Sequence, residues 1–252
     1  MTNNRFAVIL PTAGQSRRFG GDVDSSRKKP FLSLAGLPVW TYSAFLFAER
    51  SDVLELLIVL ATDDRSFFES RFAAELERLR ERLRVVLVDG GNERADSVQN
   101  AIDTIGDGVN MVAIHDTARP CVTADAVSTV FAAAAEHGAA LLASPIVGTV
   151  KRAVNSGGGN NSNGSIVETT VPRDNLWEAQ TPQVFRRELI VEAYSKRSEL
   201  FGKTLPTDDA QIVEHLGHNV VLVLSDRTNI KITTPSDLRF AEMVICSRND
   251  NS

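Results

Sequence analysis

Residues 6–21 read FAVILPTAGQSRRFGG, an apolar run followed by a loop of small residues that carries two arginines. The run Phe6 to Leu10 is continuously apolar, which is typical of a strand covered on both faces in a parallel sheet. The loop can offer backbone N–H groups to a phosphate, and Arg17 and Arg18 add fixed positive charge. It matches neither GxGxxG nor the Walker A loop, which argues against a hydride-transfer enzyme or a P-loop NTPase. Taken alone, the loop is equally consistent with a tight turn.

The same alternation of strand-like and helix-like segments continues along the chain. Further short apolar runs rich in Val, Ile and Leu lie at 56–61, 85–88, 111–114, 140–143 and 220–224. Segments with helical periodicity lie at 40–49, 65–82, 95–105, 124–137 and 188–198. This order predicts an α/β fold, a Rossmann-like, open, mostly parallel twisted sheet with helices on both faces. In such sheets ligands bind at the carboxyl ends of the strands, so the loops that follow the strands form the candidate site.

A protruding β-hairpin arm is predicted at 147–173. Residues 149–154 and 166–171 are rich in Val and Thr, and the low-complexity stretch 156–165, SGGGNNSNGS, lies between them. Nothing in that stretch can bury apolar area, which indicates a flexible tip, and the flanking pieces have the composition of strands. No repeat or linker interrupts the rest, so we interpret 1–252 as one domain with an arm.

Composition bounds the class of protein. The chain has 252 residues, of which 43% are apolar, and this suits one globular α/β domain. With 27 Lys and Arg against 32 Asp and Glu, its net charge of −5 gives no basic field for a polyanion, so we expect no nucleic acid partner. Cys121 and Cys246 stand far apart without CxxC spacing, which predicts neither a disulfide framework nor a zinc site. With no signal-peptide core and no apolar run of membrane-spanning length, we expect a cytoplasmic protein without a membrane partner.

Three further loops carry charge or paired glycines. Residues 27–31, RKKPF, concentrate three cations. Residues 89–97, DGGNERADS, combine two glycines with a serine in the opening turn of a helix, and residues 115–120, HDTARP, place a carboxylate and an arginine after a strand. Each loop has a structural alternative: a solvated face, a capped helix start and an internal ion pair. Four such loops after successive strands are harder to dismiss together than each is alone.

The order and spacing of these motifs resemble one enzyme family. Between Phe6 and Val244 the chain contains, in order, Pro-x-Ala-Gly-x-x-x-Arg, Asp-Gly-Gly-x-Glu-Arg-x-Asp-Ser-Val, His-Asp-x-Ala-Arg-Pro, Leu-Trp-x-Ala-Gln-Thr-Pro-Gln-x-Phe and Asn-Ile-Lys-Ile-Thr. It thereby resembles the 2-C-methyl-D-erythritol 4-phosphate cytidylyltransferases, which have a nucleotidyltransferase fold. The resemblance implies transfer of CMP from CTP to methylerythritol phosphate, with release of pyrophosphate and with Mg²⁺, in the non-mevalonate route to isoprenoids. It also implies a homodimer in which the arm reaches into the partner subunit.

The resemblance assigns roles to individual residues. The residues that match those gripping the triphosphate and stabilising the transition state are Arg18, Lys29 and Lys231. The matches on the nucleotide side are Pro11, Ala13, Gly14, Gly91, Asn92, Ser97, Asp116 and Arg119. The matches on the acceptor side are Thr149, Lys151, Arg173, Thr181 and Asp208. Asp116 is also the candidate Mg²⁺ ligand, the ion being held mainly by phosphates. Lys28 and Lys29 stand where the family often has Pro-Lys, and counting back from Phe31 assigns the family lysine to Lys29.

The implied reaction suits these residue types. A phosphate monoester has a second pKa of about 6, so the attacking group is already mostly a dianion at neutral pH and needs no general base. Cations and positioning then carry catalysis. Other functions stay open at this point: a ribitol 5-phosphate cytidylyltransferase, a catalytically silent nucleotide-sensing module and a scaffold that binds partners through its arm. The sensing module predicts neutral residues at positions 18, 29 or 231, where this chain has Arg, Lys and Lys.

Overall fold

A seven-stranded sheet forms the centre of the protein in a computed structural model that describes residues 4–13, 28–154, 165–202 and 204–249. The strands, in chain order, are β1 (Phe6–Pro11), β2 (Ser33–Leu34), β3 (Leu37–Pro38), β4 (Val53–Leu60), β5 (Arg84–Asp89), β6 (Met111–Ile114), β7 (Ala139–Pro145), β8 (Val150–Ala153), β9 (Val167–Val171), β10 (Trp177–Arg186) and β11 (Val221–Leu224). The central sheet has the order β11-β7-β10-β6-β1-β4-β5. Its strands pair in parallel except β10, which runs antiparallel to both β6 and β7. The predicted mostly parallel sheet is confirmed.

Both faces of this sheet are covered. Side chains of β1 alternate between two cores, with Phe6, Val8 and Leu10 on one face and Ala7 and Ile9 on the other. None of the five has more than 2% of its surface exposed. Burial on both faces explains why the strand is apolar at every position rather than at every second one.

The helices follow the predicted segments with two interruptions, one at Phe72 and one at Lys196. Their bounds are α1 (Val39–Ala48), α2 (Arg65–Arg71), α3 (Ala73–Arg80), α4 (Arg94–Ile102), α5 (Ala124–His137), α6 (Arg187–Ser195), α7 (Arg197–Phe201), α8 (Asp209–His215) and α9 (Pro235–Asn249). The structure divides the helix predicted over 65–82 at Phe72, whose φ of −117° and ψ of 28° are not helical. The ring of Phe72 is buried against Trp40 and Phe68, so core packing takes precedence over helical continuity there. Within the described ranges, no helix is long and apolar enough to cross a bilayer.

The hairpin arm is present as a separate two-stranded sheet. Strands β8 and β9 pair antiparallel, and most of their residues are exposed. The predicted tip, 156–165, lies outside the described residues except for Ser165. Strand β10 follows the arm directly and leads from it into the middle of the central sheet.

Candidate active site

A pocket of about 920 Å³ opens at the carboxyl ends of β1, β4, β5 and β6. This is the edge at which a parallel sheet is expected to bind its ligand. Predicted site residues from five separate segments line it: Pro11, Ala13, Lys29, Gly91, Asn92, Ser97, Asp116 and Lys231. Arg18 and Gly14 lie outside the described residues.

Paired glycines after β5 let two chain segments approach the pocket closely. A Cβ atom at Gly90 would lie 2.8 Å from the Cβ of Ala13, and one at Gly91 would lie 2.3 Å from the Cβ of Asp96. Both distances are well inside the van der Waals contact of two carbon atoms. Only glycine therefore allows the loop to pack against the end of β1 and the start of α4.

Ser97 holds the turn between β5 and α4. Its Oγ accepts the backbone N–H of Gly91 at 3.0 Å and donates to the carbonyl oxygen of Glu93 at 3.1 Å. Glu93 and Asp96 close a capping box around the first turn of the helix. The Ser97 hydroxyl, predicted on the nucleotide side, is thus engaged within the loop, where it shapes the wall of the pocket.

Asp116 lies between two cations at the end of β6. One carboxylate oxygen is 2.5 Å from Lys231 Nζ, and the other is 3.4 Å from a guanidinium nitrogen of Arg94. Burial by itself would raise the pKa of Asp116, but the positive charges of Arg94 and Lys231 outweigh burial and hold this pKa well below its usual value. The pocket therefore contains an ionised carboxylate at neutral pH.

Arg94 lines the pocket, although the sequence analysis gave it no role. Its guanidinium donates to both carboxylate oxygens of Asp209, at 3.0 and 2.7 Å, and Asp209 also accepts the Tyr194 hydroxyl at 2.5 Å. These contacts tie α4, α6 and α8 together beside the site. The position of Arg94 in the Asp-Gly-Gly-x-Glu-Arg motif could have indicated a role in the site. Its pairing with Asp209, 115 positions away, could not be predicted from the local sequence.

The two adjacent lysines before β2 both line the pocket. Lys28 Nζ lies 2.6 Å from the buried carboxylate of Asp64, which follows β4. Lys29 begins a short 3-10 turn that is anchored by the buried ring of Phe31, itself in contact with Phe68. The ion pair fixes Lys28 to the wall of the pocket.

A second pocket, of about 560 Å³, adjoins the first and shares Lys231 with it. Arg119, predicted on the nucleotide side, lines this second pocket. Its buried guanidinium donates to the carbonyl oxygens of Asn229 at 2.7 Å and Ala179 at 3.4 Å. The shared ammonium group places a positive charge at the junction of the two pockets.

Three of the predicted acceptor residues, Thr149, Lys151 and Arg173, lie on the arm and line neither pocket of their own chain. All three are exposed. Lys151 Nζ donates to the Thr170 hydroxyl at 2.6 Å, and the Arg173 guanidinium donates to the carbonyl oxygen of Val147. The structure thus groups them on the arm outside both pocket linings, with Arg173 bonded to Val147, which lines the second pocket.

The other two predicted acceptor residues, Thr181 and Asp208, also lie outside the two pocket linings. The buried Thr181 hydroxyl accepts the backbone N–H of Asp116 at 3.0 Å. Asp208 caps α8 by accepting the Gln211 N–H at 3.0 Å, and it accepts from the Gln183 amide at 2.8 Å. Both residues hold neighbouring segments in place.

His115 is fully buried beside Asp116. Burial is the largest cause of its shift and lowers the pKa of His115 to about 4. The imidazole is therefore neutral at neutral pH, and it lines neither of the two pockets.

The carboxylates that line the first pocket determine its fit to Mg²⁺. In the part of the chain that the structure describes, no group of three or more His, Cys, Asp or Glu residues is placed to hold a metal. Mg²⁺ needs no such cage, because one or two carboxylates commonly complete a shell of phosphate and water oxygens. The ionised Asp116 is a donor of that kind, so the residues fit an ion held mainly by a bound triphosphate.

Comparison with known proteins agrees with this geometry. The sequence model of the 2-C-methyl-D-erythritol 4-phosphate cytidylyltransferase family matches residues 6–247. The chain belongs to this family. Proteins of that name from Rhodopirellula baltica and Pelotomaculum thermopropionicum are each 37% identical to it, over 95% and 97% of this chain and 94% and 96% of theirs.

Solved structures of 2-C-methyl-D-erythritol 4-phosphate cytidylyltransferases share the fold. The enzyme from Thermus thermophilus superposes with a TM-score of 0.71 at 29% identity, covering 95% of this chain and 98% of that one. The enzyme from Francisella tularensis has a TM-score of 0.74 at 28% identity, with coverage of 96% and 100%. Family membership thus extends over the whole sheet and both pockets.

Proposed function

We propose that the protein transfers CMP from CTP to 2-C-methyl-D-erythritol 4-phosphate, giving 4-diphosphocytidyl-2-C-methyl-D-erythritol and pyrophosphate in the non-mevalonate pathway. The observation that carries the proposal is the pocket at the carboxyl edge of the sheet. Lys29, Asp116 and Lys231 come from distant parts of the chain and line this one cavity. The family to which the chain belongs supplies the identity of the two substrates.

The reaction needs cations rather than a base. An oxygen of the acceptor phosphate attacks the α-phosphorus of CTP and forms a new P–O bond. The bond from the α-phosphorus to the oxygen that bridges it to the β-phosphate then breaks, and pyrophosphate leaves with that oxygen. Charge that gathers on the α-phosphate oxygens would be stabilised by Lys29 and Lys231. Asp116 orients the Lys231 ammonium at 2.5 Å.

The nucleotide is proposed to occupy the first pocket. Support comes from the position there of the residues proposed for the pyrimidine and ribose: Pro11, Ala13, Gly91, Asn92, Ser97 and Asp116. Gly14 and Arg18 belong to this proposal on the sequence resemblance, Arg18 as a triphosphate ligand. Mg²⁺ is the proposed cofactor, with Asp116 as its protein ligand, and when bound it would neutralise and clamp the triphosphate oxygens.

The acceptor is proposed to occupy the second pocket. This pocket shares Lys231 with the first, so a phosphate bound there would adjoin the α-phosphate of CTP. Arg119 lines it, and Thr181 acts through the backbone of Asp116. Asp208 would act only by fixing α8 beside the site.

We propose that the protein is a homodimer in which the arm of each subunit contributes to the acceptor site of the other. Thr149, Lys151 and Arg173 are exposed on the arm and line neither pocket of their own chain. In a homodimer the arm of one subunit would bring these residues to the acceptor pocket of the other, because a symmetric pair exchanges the same contacts in both directions.

We propose that the protein acts in the cytoplasm. Support comes from the two cysteines, Cys121 and Cys246, which are free thiols. The proposed partners are CTP, a sugar-alcohol phosphate and a second copy of the chain, and neither nucleic acid nor a membrane is among them.

The first test is pyrophosphate release by the purified protein with CTP and Mg²⁺. Methylerythritol 4-phosphate and ribitol 5-phosphate are compared as acceptors, with Lys29→Ala as the inactive control. Release with methylerythritol phosphate alone supports the proposal. A preference for ribitol phosphate would replace the acceptor, and CTP binding without release from either would favour the nucleotide-sensing module.

The shared site is tested by co-expressing two inactive variants, Lys29→Ala and Arg173→Ala. If the arm acts in the partner subunit, each mixed dimer regains one intact site. Half of randomly formed dimers are mixed and each has one of its two sites intact, so activity returns to about one quarter of wild type. If mixed dimers are shown to form but regain no activity, the arm residues act in the site of their own subunit.

A further inference from the structure

The imidazole of His115 links three segments beneath the junction of the two pockets. Its Nδ1 lies 3.2 Å from the Thr181 hydroxyl on β10. Its Nε2 lies 3.1 Å from the Ser43 hydroxyl on α1 and 3.3 Å from the carbonyl oxygen of Arg119. The ring is fully buried and packs edge-on against Phe47, with ring centroids 5.4 Å apart. The side chain thus has polar partners at both ring nitrogens.

The hydrogen-bond partners determine where the ring carries its proton. The carbonyl oxygen of Arg119 can only accept, so Nε2 must donate to it. The Thr181 hydroxyl accepts the N–H of Asp116 at 3.0 Å and has its own proton to donate to Nδ1, which accepts when the ring carries its proton on Nε2. The contact with Arg119 therefore assigns the proton to Nε2, and the contact with Thr181 is satisfied by the same neutral tautomer.

Through these two bonds the ring holds both ends of one short turn. The turn runs from Asp116 to Arg119 and is closed by the Arg119 N–H, which donates to the Asp116 carbonyl oxygen at 2.9 Å. His115 reaches the Asp116 end through the Thr181 hydroxyl and the Arg119 end directly. The two ends of the turn serve different pockets, because Asp116 lines the first and Arg119 lines the second.

We propose that His115 is a positioning residue that fixes the turn between Asp116 and Arg119, and thereby sets the place of the CTP α-phosphate relative to the acceptor. The proposal rests on the function proposed above. His115 touches neither substrate pocket, so it acts only through the residues that it holds. Its loss would misalign the reacting groups rather than remove a binding contact, which predicts an effect on kcat more than on the KM for CTP.

The test replaces the ring by side chains that keep one of its two bonds. His115→Gln retains an amide N–H near the position of Nε2, His115→Asn retains an acceptor near Nδ1, and His115→Phe retains neither. We expect the Phe variant to lose about 10²-fold in kcat, as for a misplacement of about 1 Å, with a KM for CTP near that of wild type. The Gln and Asn variants are expected to recover part of this loss. Ser43→Ala, which removes one of the two Nε2 partners, is the matched control and is expected to stay within about twofold of wild type.

Two outcomes would overturn the proposal. One is a Phe variant with the kcat of wild type. The other is an equal loss in the Phe, Gln and Asn variants, which would mean that neither hydrogen bond of the ring positions the turn. A wild-type protein that releases no pyrophosphate would count against the proposed function instead. In that case the long-range ¹H–¹⁵N spectrum of the wild-type imidazole decides the inference: a proton on Nε2 supports it, and a proton on Nδ1 refutes it.

Discussion

Replacing Gly91 by alanine is expected to damage CTP binding through one defined contact. The added Cβ would lie 2.3 Å from the Cβ of Asp96 and 3.1 Å from its carbonyl carbon, within the first turn of α4. Carbon atoms pack best at about 3.5–4.0 Å, so the loop or the helix start must move by roughly 1 Å. Overpacking of this kind costs about 1–3 kcal/mol of unfolding free energy. A displacement of that size at a binding site lowers kcat/KM by about 10²-fold.

The assay is pyrophosphate release at varied CTP, together with the unfolding free energy from urea denaturation. Gly148→Ala is the matched control, because nothing lies within 4 Å of its added Cβ. Gly148 lies on the second pocket, so its change is expected to leave the KM for CTP within about twofold and stability within about 0.5 kcal/mol. A Gly91→Ala protein with the stability and CTP affinity of wild type would refute the reasoning from this contact.

Further changes separate the roles of the cations and thiols. Lys29→Met is expected to lower kcat by about 10²–10³-fold without loss of stability. Lys28→Met is expected to keep most of kcat but to lower the unfolding free energy by about 1–3 kcal/mol, because the buried carboxylate of Asp64 loses its lysine. The reverse pattern in the two assays would assign the catalytic role to Lys28. Lys231→Met is expected to lower kcat by about 10²–10³-fold with CTP and the acceptor both saturating. A wild-type kcat in this variant would exclude Lys231 from the mechanism. Burial raises the pKa of Cys121 to about 11, so a thiol reagent at pH 8 should modify Cys246 alone in the folded protein and both after unfolding. The Cys121 thiol has a lower pKa in the unfolded protein than in the folded one. Its contribution to the unfolding free energy is therefore fully present below about pH 9 and decreases as the pH rises towards 11, which urea titrations across that range would detect.

The sheet and most of the pocket could be predicted because their signals are local. The continuous apolarity of Phe6 to Leu10 reflects burial on both faces, and this places the following loop at the carboxyl edge of the sheet. The same logic placed the loops that contain Gly91 and Asp116 at this edge, and both loops line the first pocket. Parallel strands bring their ends to one edge, so a loop's position follows once its strand is recognised.

The remaining features depend on contacts between distant residues. The break of the helix at Phe72 is decided by the aromatic residues around its ring, and the helical periodicity of 65–82 gives no sign of it. The ion pair of Arg94 with Asp209 joins two segments that carry no mutual pattern. The direction of β10 is likewise set by its neighbours in space, since its own composition suits either orientation.

The position of β10 also imposes an order on the assembly of the protein during synthesis. This strand lies between β6 and β7 although it follows both in the chain. Until the ribosome has released residues 177–186, the edge of β6 at Met111–Ile114 lacks its neighbour, and all four of those residues are buried in the finished protein. An apolar edge strand of this kind readily pairs with other chains. Nascent chains that end before residue 177 should therefore aggregate. Once β10 has been synthesised, it pairs with β6 and covers the edge through which chains on the same polysome would associate.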